Sequence, residues 1–216
     1  MRGLMMRAAM LPTMTALILA GCAKKEAALP DEPVEKAASC GVIAAATERE
    51  AAGVKGDLPA EAQARIFHYP LLAASEGESF DKDRADAVFK RMPGLFDHVI
   101  KGKWQTLRPA CTAAFPATKI TDPVLPEKPL DRMLQCYVLV DFMRKALGDL
   151  GGSYGEASMR YGVLSTKLDA KVSPALAKAG LKNGDPLQAK RSEALSAASK
   201  LGQPSAVIAA CEKAYG

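Results

Sequence analysis

Residues that commonly carry metal binding and general-base catalysis are scarce in this chain. It contains two histidines in 216 residues, His68 and His98, and only one tryptophan. None of its five cysteines has a partner at the C-x₂₋₄-C spacing of structural zinc sites or at the C-x-x-C spacing of redox motifs. We therefore expect no metal site and no cofactor.

Long apolar runs and a strong charge imbalance are also missing. The mostly apolar run from Ala8 to Ala20 is shorter than the roughly 20 residues that a transmembrane helix needs. The formal net charge is only +5, which does not indicate a nucleic-acid partner. Aromatic residues make up 6% of the chain and alternating β-branched runs are few, so a β-sheet protein is not expected.

The N-terminus has the features of a secretory signal peptide. Arg2 and Arg7 precede the apolar run, which ends in the small residues of Leu19-Ala20-Gly21-Cys22. This ending resembles the lipobox of bacterial lipoproteins. The resemblance implies cleavage before Cys22 and acylation of that cysteine, which anchors the protein to a membrane. Ala23 stands where an aspartate often retains such proteins in the inner membrane, which implies the outer membrane, facing the periplasm.

The chain therefore divides into three parts. Residues 1–21 are the predicted signal peptide, and residues 22–33 are the lipidated anchor and a tether rich in charged, small and proline residues. Residues 34–216 are predicted to form one helical domain. An ordinary transmembrane anchor is the alternative interpretation of the N-terminus.

The composition of residues 34–216 favours helices, because alanine, leucine, lysine and glutamate dominate it. We predict an all-α fold, a single irregular helical bundle of about seven or eight helices. Pro33 begins the first helix, which ends near Ala52, and a strong amphipathic helix covers Leu130 to Leu147. Pro93-Gly94 is expected to interrupt the third helix, and Ser173-Pro174 to begin a short separate one.

Four cysteines remain once Cys22 is set aside, and an even number in an exported chain indicates two disulfides. Three pairings are possible. We favour Cys111 with Cys136, across the proline-rich segment 116–129, and Cys40 with Cys211, which would join the first helix to the last. Free thiols buried in a helical core are the alternative.

Two short patterns invite a catalytic interpretation. Gly151-Gly152-Ser153-Tyr154-Gly155 matches the G-x-S-x-G nucleophile elbow, but a predicted helix precedes it and no histidine follows it. We therefore interpret it as a flexible connection between helices. His98, beside Asp97 and near Glu76 and Glu78, is the better candidate of the two histidines, although a helix-surface role is the simpler expectation for both. No catalytic residue is assigned.

Three further groups have simple structural explanations. An acidic cluster at a helix start suits the helix dipole, a basic stretch surrounds the only tryptophan, and four tyrosines in the second half suit either a core or a cleft between helices. These groups are Asp81, Asp83 and Asp86; Lys101, Lys103 and Arg108 around Trp104; and Tyr137, Tyr154, Tyr161 and Tyr215.

The sequence thus predicts a non-catalytic, membrane-anchored envelope lipoprotein with a partner-binding or structural role. Its expected partners are the membrane, through acylated Cys22, and an envelope protein or cell-wall component. An envelope hydrolase using scattered carboxylates and a helical carrier of a small apolar ligand are the alternatives. A polar cleft with carboxylates would favour the hydrolase, a closed apolar cavity the carrier, and an exposed apolar surface the partner-binding protein.

Overall fold

The computed structural model describes residues 28–216, so the predicted signal peptide, Cys22 and the first part of the tether lie outside it. The described residues form eight α-helices and three short 3₁₀ helices, with no strand among them, which confirms the predicted all-α fold. None of these helices is long and apolar enough to cross a membrane. The helices are α1 (Pro33–Ala52), α2 (Ala60–Ala74), α3 (Lys82–Lys101), α4 (Arg108–Ala114), α5 (Pro129–Leu150), α6 (Gly155–Lys178), α7 (Gly184–Lys200) and α8 (Pro204–Tyr215).

The ends of α1 follow from local sequence signals. Pro33 occupies the first helical position, and the Glu32 carboxylate accepts hydrogen bonds from the backbone N–H groups of Val34 and Glu35. At the other end Gly53 adopts a left-handed conformation with φ of 64°, which a residue without a Cβ atom adopts at little cost. The predicted bounds of this helix are confirmed.

Two of the expected helix breaks are wrong. Helix α3 continues through Pro93 to Lys101, and α6 continues through Pro174 to Lys178. A proline inside a helix removes one backbone hydrogen bond, but buried side chains lie on both sides of each proline. Val88 and Leu95 are buried in α3, as are Val172 and Leu176 in α6, so tertiary packing offsets the local cost.

The eight helices form two halves joined by α2. In the N-terminal half (α1–α4), α1 packs on α2 and α3; in the C-terminal half (α5–α8), α5 packs on α6, α7 and α8. Helix α2 packs on α7 and α8 as well as on α1 and α3. Its residues Ala64, Phe67 and Leu71 are buried in the core of the C-terminal half, and Ala73 is buried in that of the N-terminal half.

Two disulfides form, as predicted, but the favoured pairing is wrong. Cys40 of α1 is bonded to Cys111 of α4, and Cys136 of α5 to Cys211 of α8, with Cα separations of 5.5 and 5.7 Å. Neither Cys111 with Cys136 nor Cys40 with Cys211 is paired, because each member of those pairs lies in a different half. Each bond instead closes one half on itself.

A buried polar cluster joins the halves beside α2. The Nε2 atom of His68, in α2, lies 2.7 Å from the carbonyl oxygen of Ser199, in α7. The Ser199 hydroxyl donates to Ser75, and the Ser196 hydroxyl donates to the carbonyl of Gly77. Because all three side chains of His68, Ser75 and Ser199 are fully buried, these hydrogen bonds fix the relative position of α2 and α7.

Candidate functional site

An open groove of about 850 Å³ lies between the two halves, and we call it the α3–α5 groove. It is walled by α3 on one side and by α5 and α7 on the other. Helix α3 packs on α1 and α2 rather than closely on α5 or α7, and the space between them remains uncovered. Its volume lies within the range typical of ligand pockets.

The floor of the groove is aromatic. Phe67 of α2 meets Phe89 of α3 edge to face, with ring centres 5.2 Å apart. Phe80, before α3, meets Phe142 of α5 with ring centres 5.8 Å apart. Such edge-to-face pairs hold their rings in fixed positions, so the apolar floor is formed before anything binds.

The rim of the groove is charged, with both signs present. Lys82 bonds to Asp86 at 2.8 Å along α3, and Asp141 of α5 bonds to Lys145 at 2.7 Å and to Arg144 at 2.8 Å. Burial acts to raise the pKa of Asp141, but its hydrogen bonds to Lys145 and Arg144 outweigh burial and lower that pKa. Asp141 is therefore an ionised, paired carboxylate at neutral pH.

Two rim charges differ from these pairs, Arg191 at one end of the groove and Asp149 at the other. Within residues 28–216 neither forms an ion pair. The Arg191 guanidinium carbon lies 5.5 Å from the centre of the Tyr137 ring, and its Nε atom is buried without a hydrogen-bond partner in the described structure. From Tyr137 to Asp149, α5 rises by about 18 Å.

A second, smaller pocket of about 170 Å³ lies on the opposite side of α2, and we call it the His68 pocket. Arg65 of α2 lines this pocket and donates two hydrogen bonds to the Glu48 carboxylate of α1, of 2.7 and 2.6 Å. This hydrogen-bonded contact raises the pKa of Arg65. Arg108 and Lys119 also line the pocket, so its lining includes three cationic side chains and one carboxylate.

His68 is completely buried and lines this pocket. Burial lowers the pKa of its imidazole to about 4, against a smaller opposing effect of the hydrogen bond to Ser199. The ring is therefore neutral at pH 7. Since a carbonyl oxygen only accepts, Nε2 carries the proton, and Nδ1 presents a lone pair that has no partner among the described residues.

The two histidines do not share a site. His98 is exposed on α3 and lines neither the α3–α5 groove nor the His68 pocket. Glu76 binds Arg84 at 2.7 Å instead of approaching His98. The proposed grouping of His98 with carboxylates is thus not formed.

The G-x-S-x-G segment connects helices, as expected. Residues 152–154 form a 3₁₀ turn between α5 and α6, and the exposed Ser153 hydroxyl donates to Asp57 at 2.8 Å. Helix α6 begins directly at Gly155. No strand-to-helix elbow is present at this serine.

The acidic cluster, the tryptophan and the tyrosines noted in the sequence lie either at structural positions or in the groove. Asp81 caps α3 by accepting a hydrogen bond from the backbone N–H of Arg84, and Trp104 is buried in the N-terminal half. Tyr154 and Tyr161 are core residues, while Tyr137 lines the α3–α5 groove. One of the four tyrosines therefore contributes to a cleft.

Sequence reasoning did not identify Arg191, Asp149 or the phenylalanines of the groove floor. One available signal was the apolar stripe of α5, which is wider than a single helix partner needs. Val138 and Phe142 widen that stripe, and both line the groove. A stripe of this width also fits the central helix of a bundle, so it marks residues that avoid water but does not separate a covered face from an open groove.

Within residues 28–216, no three histidine, cysteine, aspartate or glutamate side chains lie close enough together to hold a metal ion. Comparison with protein-family models, with curated protein sequences and with solved structures finds no significant match to this chain.

Proposed function

We propose that this protein is a bacterial envelope lipoprotein, anchored through acylated Cys22, whose helical domain holds an amphipathic helix of an envelope partner in the α3–α5 groove. The role is binding without catalysis. The observation that carries the proposal is the open aromatic groove with unpaired charges of opposite sign at its two ends. The Leu19-Ala20-Gly21-Cys22 sequence supports the membrane anchor.

The dimensions of the groove suit a helix. Its α5 wall extends from Tyr137 to Leu150, a rise of about 20 Å, or about 13 residues of a partner helix. Aromatic rings line the floor and charged side chains line the rim, as in grooves that bind the apolar face of an amphipathic helix. A rim with charges of both signs suits a protein segment better than an acyl chain, which carries no charge to match them.

The two end charges indicate the chemistry and direction of that helix. Arg191 suits an acidic side chain or the negative C-terminal end of a helix, and Asp149 suits a basic side chain or the positive N-terminal end. The partner helix would then run antiparallel to α5. It would carry basic residues near its start and acidic residues about 12 positions later, at the helical rise of 1.5 Å per residue.

The tether allows this domain to reach a partner near the membrane. Residues 22–33 are rich in charged, small and proline residues, and a chain of that length spans at most about 40 Å when extended. An acylated cysteine at its start would keep the beginning of α1 within that distance of the membrane surface.

A pair of cellular experiments tests the proposal. Cys22→Ser should release the protein from washed membranes, whereas continued membrane retention would contradict the anchor. For the groove, a photoactivatable amino acid at Leu150, which is 48% exposed, should give one dominant protein adduct in cells. The control position is Val163 on α6, outside the groove and 61% exposed.

The crosslinked products also separate the alternative functions. Adducts with acyl chains or lipids at Leu150 would favour a carrier of apolar ligands. Equal yields of the same adduct from Leu150 and Val163 would mean that the groove has no special role, and the proposal would be wrong.

A further inference from the structure

We propose that the His68 pocket is a second binding site, which takes a small carboxylate-bearing molecule with a hydrogen-bond donor near its other end, such as a short hydroxy acid. This site is separate from the α3–α5 groove, since α2 lies between them. The charges of the pocket, its hydrogen-bonding groups and its size each favour such a ligand.

The charges favour an anion. Arg108 and Lys119 are exposed at the pocket and form no ion pair within residues 28–216. Arg65 is held by Glu48 through its Nε and Nη2 atoms, which leaves its remaining Nη1 group free of that carboxylate. The pocket thus has two more positive than negative side chains, and a carboxylate at its mouth would meet both exposed cations.

The hydrogen-bonding groups around the pocket favour a ligand that carries a hydrogen-bond donor as well as a carboxylate. The hydroxyl groups of Thr47 and Thr118 donate hydrogen bonds to the backbone carbonyls of Ile43 and Phe115, at 2.8 and 2.7 Å. The Gln203 amide N–H group donates to the Thr118 carbonyl at 2.9 Å, which leaves its own carbonyl oxygen as an acceptor. Thr47 and Gln203 therefore each present an oxygen atom that can accept, whereas the Thr118 hydroxyl is already hydrogen-bonded to the Tyr69 hydroxyl, which also lines the pocket.

His68 adds a buried acceptor without a partner. Its Nδ1 lone pair has no hydrogen bond within the described structure, although the side chain is completely buried. An unpaired buried polar group costs about 1–3 kcal/mol. A ligand hydroxyl or amine that donates to Nδ1, after a small movement of the side chains that cover this nitrogen, would remove that cost. An apolar ligand would leave this nitrogen unpaired.

The size limits the ligand to a few atoms. The volume of about 170 Å³ is close to that of a roughly 150 Å³ protein cavity that binds benzene, so the molecule has about six to eight non-hydrogen atoms. The disulfide between Cys111 and Cys40 also holds α4 against α1, two of the elements that line the pocket. This restraint lowers the free energy lost to ordering when a ligand binds.

3-Hydroxypropionate and propionate form a matched pair of probes, because they differ only by a hydroxyl group, which 3-hydroxypropionate carries at the end opposite its carboxylate. Titration of the purified full-length protein in detergent should show millimolar binding of 3-hydroxypropionate, with propionate weaker by about tenfold for the lost hydrogen bond. The ¹⁵N resonance of His68 Nδ1 should shift with 3-hydroxypropionate and much less with propionate. Unchanged resonances with both acids would mean that only water occupies the pocket and would overturn the proposal.

Variants of the exposed cations test the anion end without disturbing the core. Arg108→Gln and Lys119→Gln should each lower the affinity for both acids by about threefold, as expected for exposed charges. Lys103→Gln, at an exposed position that does not line the pocket, should leave both affinities unchanged. Equal losses in all three variants would indicate nonspecific charge attraction, and equal affinity of the two acids would exclude the donor contact with His68.

Discussion

His68 of α2 donates from Nε2 to the carbonyl oxygen of Ser199 in α7 across 2.7 Å, and both side chains are fully buried. The hydrogen bond joins elements that are 131 positions apart in the chain. It lies on the helix that separates the α3–α5 groove from the His68 pocket. The position of α2 relative to α7 thus depends on a neutral imidazole.

We expect the folded domain to lose stability in mild acid because of His68. Burial lowers its pKa from 6.5 to about 4, so between these values the unfolded chain binds the proton and the folded protein does not. The stability is fully present above about pH 6.5 and falls as the pH is lowered towards 4. The total loss is about 3 kcal/mol, at 1.36 kcal/mol per pKa unit.

Urea unfolding as a function of pH checks this expectation. His68→Gln keeps an N–H donor for the Ser199 carbonyl but cannot be protonated in this range. The wild-type stability should fall more steeply than that of His68→Gln between pH 6.5 and 4. Parallel curves would show that other groups account for the acid sensitivity.

The disulfides should stabilise the two halves separately. Non-reducing peptide mapping should recover Cys40 with Cys111 and Cys136 with Cys211, which are 71 and 75 positions apart in the chain. Removing either bond by a double Cys→Ala change should cost about 2–5 kcal/mol of unfolding free energy. A peptide that links Cys111 to Cys136 would contradict the arrangement of the halves.

Gly202 should tolerate no side chain, because it lies against the segment that connects the halves. It has φ of 154°, and an added Cβ atom would lie 2.7 Å from the carbonyl oxygen of Ile120. Gly202→Ala should therefore destabilise the fold by about 1–3 kcal/mol. Gly155→Ala is the control, since its Cβ atom would meet nothing within 4 Å in a helical conformation; equal unfolding midpoints would refute the clash.

Neutralising the two end charges of the groove should weaken partner capture. Arg191→Gln and Asp149→Asn should each lower the adduct yield from Leu150 by about fivefold, which corresponds to ~1 kcal/mol. Lys190→Gln is the matched control, because this neighbour of Arg191 pairs with Glu193 and does not line the groove. A loss as large in the control would assign the effect to net charge.

Ser153→Ala should change neither stability nor capture. The serine is exposed, and its only hydrogen bond within the described residues is to Asp57. Surface changes of this kind usually stay within about 0.5 kcal/mol. A marked loss of partner capture in this variant, measured by the same crosslinking, would give the segment a role that its geometry does not suggest.

Local signals predicted much of the helical structure, but contacts between distant residues did not follow from them. Pro33 and Gly53 mark the ends of α1 because a helix start and a helix end have their own chemistry. The helix break expected at Pro93 does not occur, because the burial of Val88 and Leu95 outweighs the unfavourable effect of a proline inside a helix. The disulfide pairing depends on which helices become neighbours, which four cysteine positions do not specify.

The groove was missed for a related reason. The pattern of α5 indicates that Val138 and Phe142 avoid water, but not that α3 stops short of covering them. Arg191 and Asp149 look like ordinary surface charges in the sequence. Their relationship appears only when α7 and the end of α5 are placed at opposite ends of one groove.

The most direct measurement is peptide mapping of photocrosslinked adducts from the two ends of the α3–α5 groove, Leu150 and Gln188, in cells. We predict adducts within one helical segment of one envelope partner. The residue captured by Leu150 should precede the one captured by Gln188 by about 12 positions. Acyl-chain adducts, the reverse order, or peptides from unrelated proteins at the two ends would contradict the proposed function.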